Sequence, residues 1–309
     1  MVGENDVVQE HRDVIREHKF ANTAFDILMV LFCILIFIAV LYPIYFIIIA
    51  SFSDSTLVAQ GKVLLLPKGV SLYGYKEIFH DDRIWTGYKN TLLYSFVGTA
   101  INLIFTLPAA YALSRKEFKP RKFIMALFVF TMFFSGGLVP TFILIKDLHL
   151  VNTVWVMMIP FCVNVFNLII CRTFFETSIP DSLYEAAVLD GCNHFRYFSS
   201  IVLPLSKAVV SVIFLYYLVG HWNDFFNPLI YINKDSLRPL QIVLRSILLS
   251  NQALQEGSGG GGGAGSYAQQ YADQVKYGTI IVSTVPMLVI YPFIQKYFAK
   301  GVMIGAIKG

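Results

Sequence analysis

The chain has 309 residues, of which 56% are hydrophobic and only 14% charged, with a mean hydropathy of +0.62. Soluble domains carry about 25% charged residues, so this composition excludes an ordinary water-soluble fold. The net charge of +4 is modest and calls for no nucleic-acid partner.

Residues 1–22 form a charged N-terminal segment, and Val7, Val8, Val14 and Ile15 predict a short helix there, lying at the membrane edge. Six apolar stretches follow, at about 24–50, 89–114, 123–145, 150–172, 205–229 and 277–298. Each meets or approaches the roughly 20 residues that a bilayer crossing needs. Proline and glycine inside them are compatible with membrane helices, where neighbouring groups satisfy the freed backbone. The first stretch is too long for a cleaved signal peptide and follows a long charged segment, so it is read as a retained helix. Asp224 interrupts the fifth stretch near its end.

Basic residues in short loops set orientation. SRKEFKPRK, Ser114 to Lys122, holds five Lys/Arg in nine residues and is placed in the cytoplasm. An even number of spans then puts both termini there. SLYGYKEIFHDDRIW in the first outer loop predicts a short amphipathic helix. In the last outer loop Leu240, Val243, Leu244, Ile247 and Leu248 recur at helical spacing, which predicts an outer-surface or re-entrant helix. EGSGGGGGAGSYAQQYADQ after it reads as a flexible tether. It matches GxGxxG only trivially, since no strand precedes it and no Lys-Ser/Thr follows. No phosphate-binding loop occurs elsewhere. Cys33, Cys162, Cys171 and Cys192 show neither a disulfide framework nor metal-ligand spacing.

Between the fourth and fifth spans lies a polar insert, residues 178–204, closed at both ends by proline. Ser182 and Glu185 have the spacing of a capping box, which predicts a helix starting near Ser182. Gly191 suits a left-handed C-terminal position. Asn193 can cap a second helix, carrying Phe195, Phe198 and Val202 and stopping at Leu203-Pro204. Pro204 can then begin the fifth span. Ala186 and Ala187 leave one face with little bulk. On residues alone this is either a plain folded loop or a docking knob that moves both flanking spans.

Glu185-Ala186-Ala187, Asp190-Gly191 and Ile201-Val202-Leu203-Pro204, in this order and spacing, resemble the EAA loop of ABC-importer permeases. FSGGLVPTFILIKDLHLVNTVWVMMIP, GHWNDFFNPLIYI and the terminal KYFAKGVMIGAIKG extend the likeness over most of the chain. They resemble the binding-protein-dependent carbohydrate permeases of maltose type, in particular the second six-span subunit and its oligosaccharide-importing branch. Cys192, where many relatives have Ala, and the Gly-rich outer loop depart from the pattern.

The resemblance implies an all-α polytopic protein of the bacterial cytoplasmic membrane, with six transmembrane helices in a permease domain at 23–300. This is a type I ABC importer permease fold with a cytoplasmic EAA coupling-helix insert. It implies pairing with a homologous second permease, two cytoplasmic ATPase subunits that bind ATP and Mg, and an extracytoplasmic solute-binding protein that delivers an oligosaccharide. This chain would hold no cofactor and perform no catalysis. Glu185, Ala186, Ala187, Asp190, Gly191, Leu203 and Pro204 would couple it to the ATPase. The tail at 301–309 would reach between the ATPases.

Asn164, Asn167, Trp222, Asn223 and Asp224 are candidate sugar-pathway residues, because polar groups at membrane depth usually face the bundle interior. Hydrogen bonding between helices is the other reading of the same residues. A rival function is an ion-coupled secondary carrier with His221 and Asp224 as a proton relay.

Overall fold

The computed structural model describes residues 4–257 and 275–292, and the side chains of Thr23, of Phe25 to Leu249 and of Val275 to Pro292. The N-terminal valine stripe, the Gly-rich tether and the terminal tail fall outside those described side chains or residues.

Among the described residues the regular elements are all helices, joined by irregular loops. Helix α1 runs unbroken over Glu4–Ser51. The short N-terminal helix expected from the charged segment is therefore the first part of α1. No proline or glycine separates it from the apolar stretch. After α2 (Ser55–Ala59) and α3 (Tyr73–His80) comes α4, Asp82–Ser114, which starts earlier than the apolar stretch because Asp81 caps it. The Asp81 side chain accepts from the Arg83 amide at 2.9 Å.

The third apolar stretch is not one helix. It divides into α5 (Arg121–Phe133) and α6 (Leu138–Asp147), bent by 113°. Gly137 causes the break: its φ of +86° is a conformation that L side chains rarely adopt. Pro140 falls in the first turn of α6, where no amide proton is needed. The fourth stretch is also broken. A 3-10 turn at Val154–Met157 leads into irregular backbone, and α7 begins only at Val165, running to Ser178.

The insert forms α8 (Asp181–Leu189), then α9 (His194–Tyr197), a π turn (Phe198–Val202) and α10 (Leu203–Leu205), continuous as one helix. This helix passes through Pro204 and ends one residue later, the π turn just before it loosening the backbone where proline supplies no amide proton. The break comes at Ser206, and α11 (Lys207–Asn223) leaves at 85°. Helices α12 (Phe226–Tyr231), α13 (Leu240–Gly257) and α14 (Val275–Pro292) complete the described chain.

Among the described residues three helices are long and apolar enough to cross a membrane: Phe25–Ser51 within α1, α4 and α14. Counting each bent pair as one span gives up to five.

Helix α4 is the hub, packed against α7, α11 and α13. Its buried strip is rich in small and polar residues, among them Ser95, Gly98, Thr99, Asn102 and Thr106. Small residues let helix backbones approach closely where lipid supplies no hydrophobic drive. The predicted stripe of α13 packs as expected: Leu240, Val243, Leu244 and Ile247 are buried with Ile78, Ile84 and Trp222. The Thr91 hydroxyl accepts from the Leu240 amide at 2.8 Å and so ties the start of α13 to α4.

Candidate functional site

Two places concentrate polar chemistry: the insert between α7 and α11, and a cavity among α4, α7 and α11.

In the insert, α8 ends in a Schellman motif. The Cys192 amide donates to Ala187 O at 2.9 Å and the Gly191 amide to Val188 O at 3.0 Å. This closure requires a left-handed residue, and Gly191 supplies it with φ +74°. Asn193 caps the next helix by accepting from the Arg196 amide at 2.8 Å. The capping box does not form. Helix α8 starts at Asp181, with Pro180 in the N-cap position and no side-chain cap, so Ser182 and Glu185 both sit inside the helix. Asp181 is drawn into the first turn by Lys116, whose ammonium donates to it at 2.6 Å, and an acidic group there suits the helix dipole. That hydrogen bond holds the Asp181 carboxyl below the usual carboxylate range and raises the Lys116 ammonium.

The inner face of the insert packs Ala187, Tyr197, Phe198 and Val202 onto Leu107, Ala110, Tyr111 and Phe175. Burying a side chain such as Val202 or Phe198 from water contributes about 1.5–3 kcal/mol. The outer face carries Glu185, Ala186 and Asp190, all exposed, beside two large bare apolar side chains. Leu189 is 88% exposed and Phe195 79%. These two flank the Gly191 turn.

Arg115, the residue after α4, locks the base of the insert. It is only 7% exposed. Its guanidinium lies 4.4 Å from the ring centroid of Tyr184 and about 6 Å from those of Tyr111 and Tyr197. Its Nε and Nη2 make no hydrogen bond and meet carboxylates only at ion-pair range, Glu117 at 3.5 Å and Asp181 at 3.8 Å. Burial pushes the Tyr197 phenol up.

The second place is a cavity of about 380 Å³ lined by residues of α4, the irregular segment before α7, α7 itself, α11 and α12. Unwound backbone at this depth must be satisfied internally, and two side chains do so. Asn102 Nδ2 donates to Cys162 O at 2.7 Å. The Tyr217 hydroxyl accepts from the Asn164 amide at 3.0 Å and pairs with Thr106 at 2.7 Å. Phe161 stands at the cavity with φ +61°, uncommon for a bulky residue.

Of the sequence-derived pathway residues, Asn164, Asn167 and Asp224 line this cavity. Asn164 also caps α7, accepting from the Asn167 amide at 3.1 Å. Trp222 does not join them: it is buried beside α13, and its indole donates to Ser283 O of α14. Asn223 bonds its own helix at Val219 O. His221 and Asp224 do not pair with each other. His221 Nε2 bonds Asn102 Oδ1 at 2.7 Å, and Asp224 accepts from Asn227 at 3.1 and 2.8 Å. Asn102, Tyr217, Phe161 and Arg115 were missed from sequence. Asn102 alone carried a signal, as an amide inside an apolar stretch. Among the described residues no cluster of three or more His, Cys, Asp or Glu could hold a metal ion.

Residues 84–304 match the family described as binding-protein-dependent transport system inner membrane component. The chain belongs to this family. The permease is 38% identical to the polygalacturonan/rhamnogalacturonan transport system permease protein YtcP of Bacillus subtilis, over 93% of this chain and 99% of that one. It is 38% identical to Protein LplC of the same organism, over 94% and 96%. A solved bacterial ABC transporter involved in import of the acidic polysaccharide alginate aligns with a TM-score of 0.76 and 29% identity. That match covers 96% of this chain and 99% of the other. The permease is thus a multi-pass subunit of an ABC-type sugar or oligosaccharide importer, and it is not itself catalytic.

Proposed function

We propose that the permease is the translocation subunit through which ATP-driven partners import oligosaccharides released from polysaccharides. Its path is six crossings, counting α5–α6 as one broken span and α7 together with the irregular segment before it. Both termini and the insert then share the cytoplasmic side with the basic loop 114–122. A homologous permease completes the translocation path, a solute-binding protein delivers sugar from outside, and two ATPases dock below.

The observation that carries this reading is the bare apolar pair Leu189 and Phe195 on either side of the Gly191 turn. Large exposed apolar groups on an otherwise well-packed element mark a protein contact. The opposite face of the same element is buried against α4 and α7, so a push on the knob moves the helices that wall the cavity. By the EAA resemblance Glu185, Ala186 and Asp190 would meet the ATPase, Gly191 would keep the turn thin, and Leu203-Pro204 would lead toward α11. Ala187 is buried and packs the knob onto its own helices. ATP closing the two ATPases would shift the knobs of both permeases and expose the cavity alternately to each side.

The test is Leu189→Asp with Phe195→Asp, two changes at exposed positions that leave the buried face intact. Membrane insertion and assembly with the second permease are expected to persist, while the ATPase no longer co-purifies. Unchanged ATPase association and unchanged binding-protein-stimulated ATP hydrolysis would overturn the docking assignment.

A further inference from the structure

The cavity among α4, α7 and α11 presents a defined set of hydrogen-bonding groups. The inference rests on the reading of the chain as an oligosaccharide permease and deepens it. Asn102 is already committed. Its Nδ2 donates to Cys162 O, which leaves Oδ1 as the acceptor for His221. Nε2 is therefore the protonated nitrogen, and a neutral imidazole satisfies the bond. Asn164 spends Oδ1 on the Asn167 amide proton, and its Nδ2 has no protein partner among the described residues. The Asn167 side chain borders the cavity, likewise without one. Asp224 holds Asn227 with both oxygens, and each oxygen keeps a further lone pair.

No lysine or arginine lines this space among the described residues, so Asp224 is its one carboxylate with no cation to balance it. Phe161, 63% exposed and held at a left-handed φ, adds an apolar ring at the rim. Strained backbone of this kind is found at ligand clamps. The volume falls within the roughly 300–1,000 Å³ of small-ligand sites.

We propose that this cavity is a subsite for an uncharged sugar unit, and that the Asp224 carboxylate turns a uronate away from it. Sugar hydroxyls would donate to Asp224, a strong charge-assisted contact, and accept from the free amides of Asn164 and Asn167. The C–H face of the ring would lie on Phe161. A uronate carboxylate would instead meet Asp224 as a like charge between low-dielectric walls, where repulsion is far larger than in water.

Asp224→Asn and Asn167→Asp test this by changing charge at nearly constant shape. Asn at 224 retains an oxygen for the Asn227 amide. Each variant is purified with its partner permease, ATPases and binding protein. Both are expected to co-purify with the ATPases as the wild type does. Uptake into proteoliposomes is then measured for galactotriose and for trigalacturonate, each relative to the wild type. Asp224→Asn is expected to raise trigalacturonate uptake by about tenfold relative to galactotriose, and Asn167→Asp to lower it further below the wild type. Equal factors for both sugars, or wild-type rates throughout, would overturn the subsite. A wild-type importer that responds to no member of a panel of neutral and acidic trisaccharides overturns the oligosaccharide reading, and the subsite with it.

Discussion

Gly98 of α4 makes room for the His221 ring of α11. A methyl group at 98 would lie 2.7 Å from His221 Nε2 and 2.8 Å from Cε1. These atoms belong to a rigid ring whose Nε2 is held by Asn102, so the ring must leave its place. Gly98→Ala is therefore expected to destabilise the permease by about 1–3 kcal/mol through overpacking and to break the His221–Asn102 bond. A lowered melting temperature of the purified importer, with reduced uptake, checks this. An unchanged Tm and uptake rate contradict it.

Glu185 presents a simpler choice than its sequence spacing offers. Ser182 and Glu185 both lie inside α8, so the carboxylate caps nothing and points outward. Truncation removes a surface group and little stability, within about 0.5 kcal/mol. Glu185→Gln and Glu185→Ala are expected to weaken ATPase association alike, because the negative charge is the shared loss. Measuring association of both variants decides it: a wild-type Gln variant beside a defective Ala variant would make shape, not charge, the contact.

The contrast between these two residues shows what was legible in the sequence. The all-α membrane class, the insert, its glycine turn at 191 and its cap at Asn193 follow from composition and local turn chemistry, and the structure has them. Most of the failures are tertiary. The α8 start was set by a Lys116–Asp181 contact 65 residues apart in sequence, which outweighs a local capping pattern. The third and fourth apolar stretches break at Gly137 and before Asn164, because hydropathy averages over a window and cannot register a single left-handed residue. Trp222 and Asn223 end α11 on faces turned from the cavity, and only Asp224, the extended residue that follows the helix, reaches it. Asn102 and Tyr217 act on backbone that is distant in the chain, and no spacing rule links them to it.

Gly191 separates strain from thickness. Its φ of +74° penalises any other residue, yet a Cβ there would meet nothing within 4 Å. A left-handed conformation costs an L residue about 1–2 kcal/mol, and Gly191→Ala should lose that much stability while still docking. Gly191→Trp adds bulk beside Leu189 and should abolish ATPase association at similar stability. Thermal melts paired with co-purification distinguish the two. Equal docking by Ala and Trp variants would show that the turn needs flexibility and no slim profile.

Tyr217 anchors the unwound segment that fronts the cavity. Its hydroxyl accepts from the Asn164 amide and bonds Thr106. Tyr217→Phe keeps the ring and leaves a backbone N–H unpaired, a loss of about 1–3 kcal/mol. The expected result is a lower Tm together with impaired sugar uptake, while ATPase association, which the proposal places on the insert, stays intact. Loss of association would link the two sites more tightly than their separate contacts imply.

Arg115 joins the insert to α4 by stacking more than by pairing. Its guanidinium sits over Tyr184, with both nearest carboxylates beyond hydrogen-bond reach. A desolvated cation–π contact of this sort contributes about 2 kcal/mol, and lysine cannot reproduce the planar stack. Arg115→Lys keeps the charge and Arg115→Ala removes it. Both are expected to assemble with the ATPases yet to transport less sugar per ATP hydrolysed, since the knob would move without carrying α4. The neighbouring Lys116–Asp181 pair adds no pH dependence in the neutral range. Asp181 is held below its ordinary value, so its contribution is present above the usual aspartate range and is lost only as pH falls through the lowered value. A coupling defect in Arg115→Ala that Arg115→Lys fully rescues, measured as sugar transported per ATP at neutral pH, would assign the joint to charge instead of the stack.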